Sequence, residues 1–335
     1  MTNHLDTDFT RLLQIPYPII GAPMFLVSNE DMVVNISEAG GIGTFPSLNF
    51  RPSSEFEKAL GRIKQRTSKP IGVNLIVNKS NPRQNDDLKH CLNHGVELFI
   101  TSLGNPKNVI EQAHKNGSKV FCDVTNLEHA KKVQDLGADG VVAVGQGAGG
   151  HAGPITPLVL IPWLKKELSI PIVAAGGIAN GRTMAAALAL GASAVHVGTR
   201  FIASTEAQSV GDDYQSAIVD ASPEDIILSD RISGTPCNFI KTDYFDKVSE
   251  NMPYLLKKLK QHPLSKKYVV PAIHYLGMQT LEKSVGAKPD RKKVWSAGQT
   301  VGLINEVKSC KQIIDEFVNE YTTTIENMPH VSPGS

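Results

Sequence analysis

The residues best suited to chemistry lie in the segment GQGAGGHAGP, residues 145–154, where a single imidazole follows a run of glycines. The segment comes directly after residues 140–144, an apolar run typical of a strand. Glycines allow the backbone to approach a flat or anionic ligand, and a histidine such as His151 exchanges protons near neutral pH. The segment therefore predicts a cofactor site with an adjoining base. A glycine-rich turn with an incidental histidine is the alternative.

Two later segments also place small residues at the end of an apolar strand. They are PIVAAGGI, residues 171–178, and AVHVGTRF, residues 194–201. Small residues expose backbone N–H groups, and those groups bind phosphate together with the start of a helix. In (β/α)8 barrels the phosphate of a cofactor often lies after the seventh and eighth strands. The pair of segments predicts a phosphate site, whereas glycines that only shape tight corners would explain one such segment more easily than two.

Composition indicates one large enzyme-like domain with a small-molecule substrate. The 335 residues are 41% hydrophobic and 20% charged, with a net charge of +1, so nothing favours a nucleic acid or a membrane surface as partner. The first residues lack a signal-peptide pattern, and no apolar run approaches the roughly 20 residues of a spanning helix. Four scattered cysteines form no metal-binding pattern and predict reduced, mostly buried thiols in a cytoplasmic protein: Cys91, Cys122, Cys237 and Cys310.

The fold is predicted from an alternation of short apolar segments with helical patterns. Continuous apolar strands between helices indicate a parallel sheet covered on both faces. Eight such strands predict a closed (β/α)8 TIM barrel, in the α/β class. The predicted strands are 17–21, 41–45, 71–76, 98–103, 119–124, 140–144, 172–175 and 194–197. The predicted helices include 29–39, 54–65, 106–116, 127–136, 161–167 and 183–190.

The alternation ends after Phe201, which divides the chain into four predicted parts. Residues 1–206 form the barrel, and residues 207–291 read as helices and loops without a further glycine-ended strand. We therefore expect a helical cap inserted after the eighth strand. Residues 292–321 return to complete the barrel with a closing helix from residue 310, and residues 322–335 form a flexible tail.

Five motifs in order carry a family resemblance. They are GAPM at 21–24, GVNL at 72–75, AGGHAG at 148–153, AAGGI at 174–178 and HVGTRF at 196–201. Together they resemble the nitronate monooxygenase (2-nitropropane dioxygenase) family, which is also related to the flavin-dependent enoyl-ACP reductase of the second type. The resemblance spans about residues 12–303 and implies an FMN-dependent TIM barrel with a helical second domain. It is specific for the superfamily and weakly specific for the reaction.

The resemblance also implies roles for individual residues. Ala22, Pro23 and Met24 back the isoalloxazine ring, Asn74 hydrogen-bonds it, and His151 matches the family's catalytic base. Because the family often has Gln at the position of Val144 and Glu at that of Gly147, Gln146 is the candidate for a shifted flavin contact. The remaining cofactor-binding residues, several of which hold the phosphate through the backbone, are Gly149, Gly150, Ala175, Gly176, Gly177, His196, Val197, Gly198 and Thr199.

Two further residues have competing interpretations. His196 lies inside an apolar strand, so we expect it to offer backbone to the phosphate, with a satisfied ring, rather than to act as a base. Asp123 at the end of the fifth strand either supports a substrate or flavin contact or caps the helix that begins near Asn126.

The function implied is the FMN-dependent oxidation of alkyl nitronates by O2 to a carbonyl compound and nitrite. For a neutral nitroalkane, His151 would first remove the α-proton. The first alternative is an NAD(P)H-dependent flavin reductase that acts on a quinone or an enoyl thioester, since both activities use the same cradle. The second is a noncatalytic flavin-binding protein. A homodimer in the cytoplasm is expected, with no metal.

Overall fold

The computed structural model describes residues 5–78, 81–230, 235–243, 245 and 294–328. At its centre eight parallel strands close into a barrel, and each pairs with the next in chain order until the last meets the first. The predicted TIM barrel is confirmed. Its strands are β1 (Ile19–Gly21), β2 (Ile42–Pro46), β3 (Ile71–Ile76), β4 (Leu98–Ser102), β5 (Lys119–Val124), β6 (Gly140–Val144), β8 (Ile172–Ala175) and β9 (Ala194–Val197).

Alternation along these strands divides the core into an inner and an outer part. Inward-facing residues such as Ile42, Phe121 and Val173 form one buried cluster inside the barrel. Their chain neighbours face outward and pack beneath the helices in a second, larger cluster. The helix α1 (Asp8–Leu13) adds Phe9 and Leu13 to the inner cluster and closes the amino-terminal end of the barrel.

The outer layer consists of helices that follow the strands. They are α2 (Glu30–Glu38), α3 (Ser53–Arg66), α4 (Gln84–Asn93), α5 (Lys107–Lys115), α6 (Leu127–Asp135), α7 (Pro157–Glu167) and α8 (Gly181–Ala189). The helix α4 falls outside the predicted set because its buried face includes Asp87, so its apolar periodicity is weak. The helix α7 begins at Pro157 rather than at residue 161, since proline suits the first helical position.

The region after the barrel is not purely helical, which corrects the prediction for residues 207–291. After α9 (Thr199–Ile202) and α10 (Asp212–Asp220) come two antiparallel strands, β10 (Ile226–Ser229) and β11 (Cys237–Ile240). The strand β11 also pairs with β7 (Gly150–His151), so these strands form through a partner far away in the sequence. Residues 231–234, 244 and 246–291 of the predicted cap lie outside the described residues.

The chain returns to the barrel through residues 294–309 and the helix α11 (Cys310–Glu326). Trp295 stacks on Tyr214 with ring centroids 5.5 Å apart, and the Ile240 N–H donates to the Trp295 carbonyl at 2.8 Å. The predicted closing helix is confirmed, but it continues beyond residue 321. The start of the predicted flexible tail is therefore helical, and the partly buried Ile325 packs against the main core. Residues 329–335 lie outside the described part.

Two other expectations concern the cysteines and membranes. All four cysteines are buried and free, as predicted. Within the described part of the chain, no helix has the length and apolar character that crossing a membrane requires.

Candidate active site

The turn after β1 is held rigidly against the end of β9. The Ala22 N–H donates to the Val197 carbonyl at 2.8 Å, which links the first and last strands of the barrel. The Ser28 hydroxyl accepts from the Met24 N–H and donates to the Ala22 carbonyl, both at 2.9 Å. Ala22, Pro23 and Met24 are half-buried. This turn therefore forms a fixed wall at the carboxyl end of the strands.

The glycine loop after β6 packs against the end of β8. The Gly145 N–H donates to the Ala175 carbonyl at 2.9 Å, and a Cβ added to Gly176 would lie 2.9 Å from the nitrogen of Ala148. Gly176 has a φ of +104°, a conformation that favours glycine. Gln146 is exposed, and its backbone N–H donates to the Ile155 carbonyl at 2.8 Å. The two predicted glycine segments thus meet in space.

The strand β11 fixes the second half of this loop. The Asn238 side-chain amide donates to the Ala148 carbonyl at 2.8 Å, and Cys237 lies opposite His151 in the ladder. The His151 residue is exposed, on a strand beside the loop that contacts the end of β8. Asn238 has no local signal in the sequence, because its side chain reaches a loop 90 residues earlier.

Residues 294–309, which return to the barrel, place a third stretch of backbone next to the two glycine segments. The Gly298 N–H donates to Thr199 Oγ1 at 3.0 Å. A Cβ added to Gly149 would approach the Gly298 nitrogen to 2.9 Å, and one added to Gly298 would approach the Gly147 carbonyl oxygen to 2.4 Å. Gly298 belongs to the predicted return segment but not to the predicted site. Beside this crowding, the Cβ position of Gly177 is open, with no atom of the described residues within 4 Å.

Three polar side chains from consecutive strands form a hydrogen-bonded chain inside the barrel. The neighbours of these residues along each strand face outward, so the three side chains face inward. They are Asn74 on β3, Ser102 on β4 and Asp123 on β5, nearer the carboxyl end of each strand than the apolar inward residues. The Asn74 amide donates to Ser102 Oγ at 2.7 Å, and the Ser102 hydroxyl donates to Asp123 Oδ2 at 2.5 Å. Burial raises the pKa of Asp123 to about 6.

This placement excludes the interpretation of Asp123 as a helix cap. The cap of α6 is the side chain of Asn126, which accepts from the His129 N–H at 2.9 Å. Asp123 therefore faces the barrel interior rather than the helix. Its Oδ1 atom is buried and has no hydrogen-bond partner among the described residues.

The ring of His196 corrects another expectation. His196 lies between the outward-facing Val195 and Val197, so its side chain points into the barrel. The Nε2 atom is buried and lacks a hydrogen-bond partner within the described chain, so the ring is not satisfied by protein groups. Desolvation lowers the pKa of His196 to about 4, which keeps the imidazole neutral at pH 7. Burial without a partner points to a role for the ring itself as well as for the backbone.

Gly198 connects the two halves of the site. An added Cβ would lie 3.5 Å from Ala22 Cβ and 3.7 Å from Met24 Sδ, while the next residue is Thr199 beside Gly298. The turn after β1 therefore adjoins the glycine strips, by which we mean the backbone around residues 147–150, 176–177 and 298. The chain of Asn74, Ser102 and Asp123, called the polar floor below, lies inside the same barrel. Groups of three or more His, Cys, Asp or Glu residues that suit a metal ion are absent from the part of the chain that is described.

Comparisons with known proteins agree with this architecture. The family model for nitronate monooxygenase matches residues 6–94 and 83–320. A probable nitronate monooxygenase of Staphylococcus saprophyticus is 29% identical, over 73% of this chain and 81% of its own length. An octahydro-1H-indene-4-carboxyl-CoA dehydrogenase of Rhodococcus jostii is 28% identical, over 96% of this chain and 97% of its own.

Two solved structures have the same fold over 96% of this chain. FabK from Thermotoga maritima is 34% identical, with a TM-score of 0.82 over 96% of this chain and 98% of that one. A nitroalkane oxidase from Streptomyces ansochromogenes has the same TM-score at 23% identity, over 96% of this chain and 99% of its own, and supports the fold alone. The chain thus belongs to the nitronate monooxygenase family and is an oxidoreductase.

Proposed function

We propose that this enzyme binds FMN at the carboxyl end of its barrel and oxidises alkyl nitronates with O2 to a carbonyl compound and nitrite. The observation that carries the proposal is the meeting of the glycine strips, the polar floor and the His151 strand at one end of the barrel. A ligand-binding site on this fold lies at that end.

The residues present fit a flavin. A ring seated on the polar floor would give partners to His196 Nε2 and Asp123 Oδ1, which otherwise remain buried and unpaired within the described residues. The open Cβ position of Gly177 leaves backbone exposed for a terminal phosphate. FMN rather than FAD is proposed because the match to G-x-G-x-x-G at residues 145–150 leads into the strand β7 and not into a helix, so it lacks the helix start that binds the pyrophosphate of a dinucleotide.

Each part of the site then has one task. The rigid turn of Ala22, Pro23 and Met24 and the side chain of Asn74 would position the ring. The strips that surround Gly149, Gly176, Gly177, Gly198 and Thr199 would hold the phosphate, with Gly150, Ala175 and Val197 supplying adjoining backbone and Gln146 a peripheral contact. The bound flavin would supply the electron chemistry between the nitronate and O2.

Proton transfer is the task proposed for His151. A nitronate has already lost its α-proton, so it needs only to be bound and oriented. A neutral nitroalkane must first give that proton to a base, and a well-placed general base contributes about 10²–10⁴-fold. His151 is exposed beside the glycine loop, where a substrate over the flavin could reach it.

The test is His151→Asn assayed on a nitroalkane and on its pre-formed nitronate. We expect turnover of the neutral substrate to fall by about 10²–10⁴-fold and turnover of the nitronate to fall much less, with FMN retained. His129→Asn, which changes an exposed histidine on α6, serves as the control and should leave both activities unchanged. Equal severe losses would contradict the role of base, and unchanged activity on both substrates would remove His151 from the mechanism.

A second function is favoured by one specific observation. FabK and the carboxyl-CoA dehydrogenase align over 96% of this chain at 34% and 28% identity, whereas the probable nitronate monooxygenase aligns over 73%. The nitroalkane oxidase also covers 96%, but at 23% identity it supports the fold alone. The alternative is an NAD(P)H-dependent reductase that acts on an enoyl thioester or a quinone. Anaerobic mixing with NADH, NADPH and a nitronate in turn decides between them. Rapid bleaching of the flavin by a pyridine nucleotide and none by the nitronate would establish the reductase.

Two further proposals concern the state of the enzyme in the cell. We place it in the cytoplasm, which fits four buried cysteines without a disulfide.

We also propose a homodimer, which sedimentation equilibrium at micromolar concentration would test.

A further inference from the structure

The side chain of Asn74 has a defined orientation because both of its amide hydrogens are used. Asn74 Nδ2 donates to the Ile100 carbonyl at 3.1 Å and to Ser102 Oγ at 2.7 Å. A carbonyl oxygen only accepts, so the nitrogen of Asn74 must face Ile100. Within the described residues no donor contacts Asn74 Oδ1, which leaves this atom as an acceptor for an N–H group of a ligand.

Ser102 links Asn74 to Asp123 and is itself oriented by that carboxylate. A hydroxyl has a single hydrogen, and Ser102 donates it to Asp123 Oδ2 at 2.5 Å. A lone pair of Ser102 Oγ is thereby turned toward Asn74. Without an acceptor at position 123, the hydroxyl would be free to rotate and to compete for Asn74 Oδ1.

Asp123 also has a free acceptor of its own. Its Oδ1 is buried and unpaired among the described residues, and the side chain lies on the same inward face of β5 as Phe121. Buried polar atoms are almost always hydrogen-bonded, so an unpaired one at the carboxyl end of the barrel indicates a missing partner. On the outer side of the same two strands, the Thr101 hydroxyl bonds Cys122 Sγ instead.

We propose that Asp123 and Ser102 belong to the cofactor site, where they orient Asn74 toward the flavin ring and Asp123 Oδ1 contacts the ring or a substrate above it. This inference rests on the proposed FMN site and adds two residues to it. Ser102 acts as a positioning residue, because it reaches the ring only through Asn74, whereas Asp123 both holds Ser102 and makes a contact of its own through Oδ1. The carboxyl group also places a titratable charge beside the ring.

The test compares Ser102→Ala and Asp123→Asn with Thr101→Val in purified holoenzyme. Thr101 is a matched control because its hydroxyl bonds Cys122 Sγ at 3.2 Å between the same two strands, on their outer side. The readouts are the dissociation constant of FMN, measured by fluorescence titration, the visible absorption spectrum and the reduction potential of the bound flavin.

We expect each variant to weaken FMN binding by about tenfold, since Ser102→Ala removes a hydrogen bond to a carboxylate and Asp123→Asn replaces that carboxylate with a more weakly accepting neutral amide. Both should shift the visible bands, and Asp123→Asn should raise the reduction potential because a negative charge is removed. The double variant should bind FMN no more weakly than the poorer single variant, since the residues act as one chain. Thr101→Val should match the wild type.

The outcomes separate this inference from the proposed function. Wild-type FMN affinity, spectrum and potential in both variants would overturn the inference while leaving the cofactor site intact. Altered flavin properties in Thr101→Val as well would also overturn it, because the effect would then belong to the strands in general. A wild-type protein that binds no FMN would overturn the proposed function and this inference together.

Discussion

The two ends of the barrel interior are built from opposite chemistry. At the amino-terminal end Phe9 of α1 meets Phe121 edge-on, with ring centroids 5.4 Å apart, and the surrounding side chains are apolar. At the carboxyl end the inward residues include Asn74, Asp123 and His196, two of which have a buried atom without a partner in the described chain. Apolar packing at the closed end stabilises the fold. The buried unpaired polar atoms at the open end lower its stability but are suited to binding a ligand.

The first prediction is the largest and concerns the open end. Gly198→Asp places a carboxylate beside Met24 and Thr199, where the phosphate is proposed to bind. Because the added Cβ makes only ordinary contacts of 3.5 Å or more, the fold should survive, but the protein should purify almost without flavin. Released flavin is measured after denaturation. Gly198→Ala and Gly198→Asn should remain largely yellow, and a fully flavinated Asp variant would show that the phosphate lies elsewhere.

A second prediction breaks the closed end. Phe9→Ala should lower the free energy of unfolding by about 3–5 kcal/mol, since it removes a fully buried ring and leaves a cavity. FMN occupancy below the unfolding transition should not change, because α1 is at the opposite end of the barrel from the glycine strips. Urea unfolding and flavin content are the two measurements. Loss of flavin without loss of stability would mean that the two ends are not separable.

The third prediction makes the open end resemble the closed one. His196→Leu removes a buried imidazole nitrogen that lacks a partner among described residues. We expect the cofactor-free protein to gain about 1–2 kcal/mol in the free energy of unfolding, and the affinity for FMN to fall. Urea unfolding of protein stripped of flavin measures the gain. A loss of stability as large as that of Phe9→Ala would show that the ring is satisfied after all.

The smallest prediction concerns pH, because two groups at the open end act in opposite directions. Burial raises the pKa of Asp123 from near 3.8 to about 6, so the folded state binds the extra proton and this contribution to stability falls as pH rises from 4 to 6. Burial lowers the pKa of His196 from near 6.5 to about 4, so the unfolded state binds the extra proton and stability rises over the same interval.

The wild-type protein without flavin should therefore show little change in stability from these two groups between pH 4 and 6. In Asp123→Asn the free energy of unfolding should rise with pH across this interval, and in His196→Leu it should fall. Urea titrations at both pH values measure the slopes. If the free energy of unfolding changed with pH in the same way in both variants, the opposite pKa shifts of Asp123 and His196 would be contradicted.

Much of the barrel was predictable because its signals are local. Each barrel strand is a short apolar run, and helices end at glycines such as Gly40, Gly117 and Gly191, which all have a positive φ. The strands β10 and β11 were missed because they are short and are defined by pairing with one another and with β7. The helical start of the predicted tail was missed because the packing of Ile325 against the core is a tertiary contact.

The candidate site shows the same division. The glycine motifs and His151 stand out in the sequence because residue type and position after a strand are local facts, whereas the role of Asn74 inside β3 is implied only by the family resemblance. The partners of those residues do not, since Gly298 meets Thr199 across 99 residues and Asn238 meets Ala148 across 90. The sequence also does not predict that the His196 ring points into the barrel, because the inward and outward faces of a strand are defined only once the barrel has closed.

The sequence by itself determined that eight strands alternate with helices and that small residues and one histidine follow particular strands. Its motifs in order also determined the family. Only the tertiary structure decided that Asn74, Ser102 and Asp123 form one chain of hydrogen bonds, and that β11 holds the strand of His151. Local preferences fix each strand, but closure of the barrel fixes which strands are neighbours and which side chains face inward, and those long-range contacts create the site.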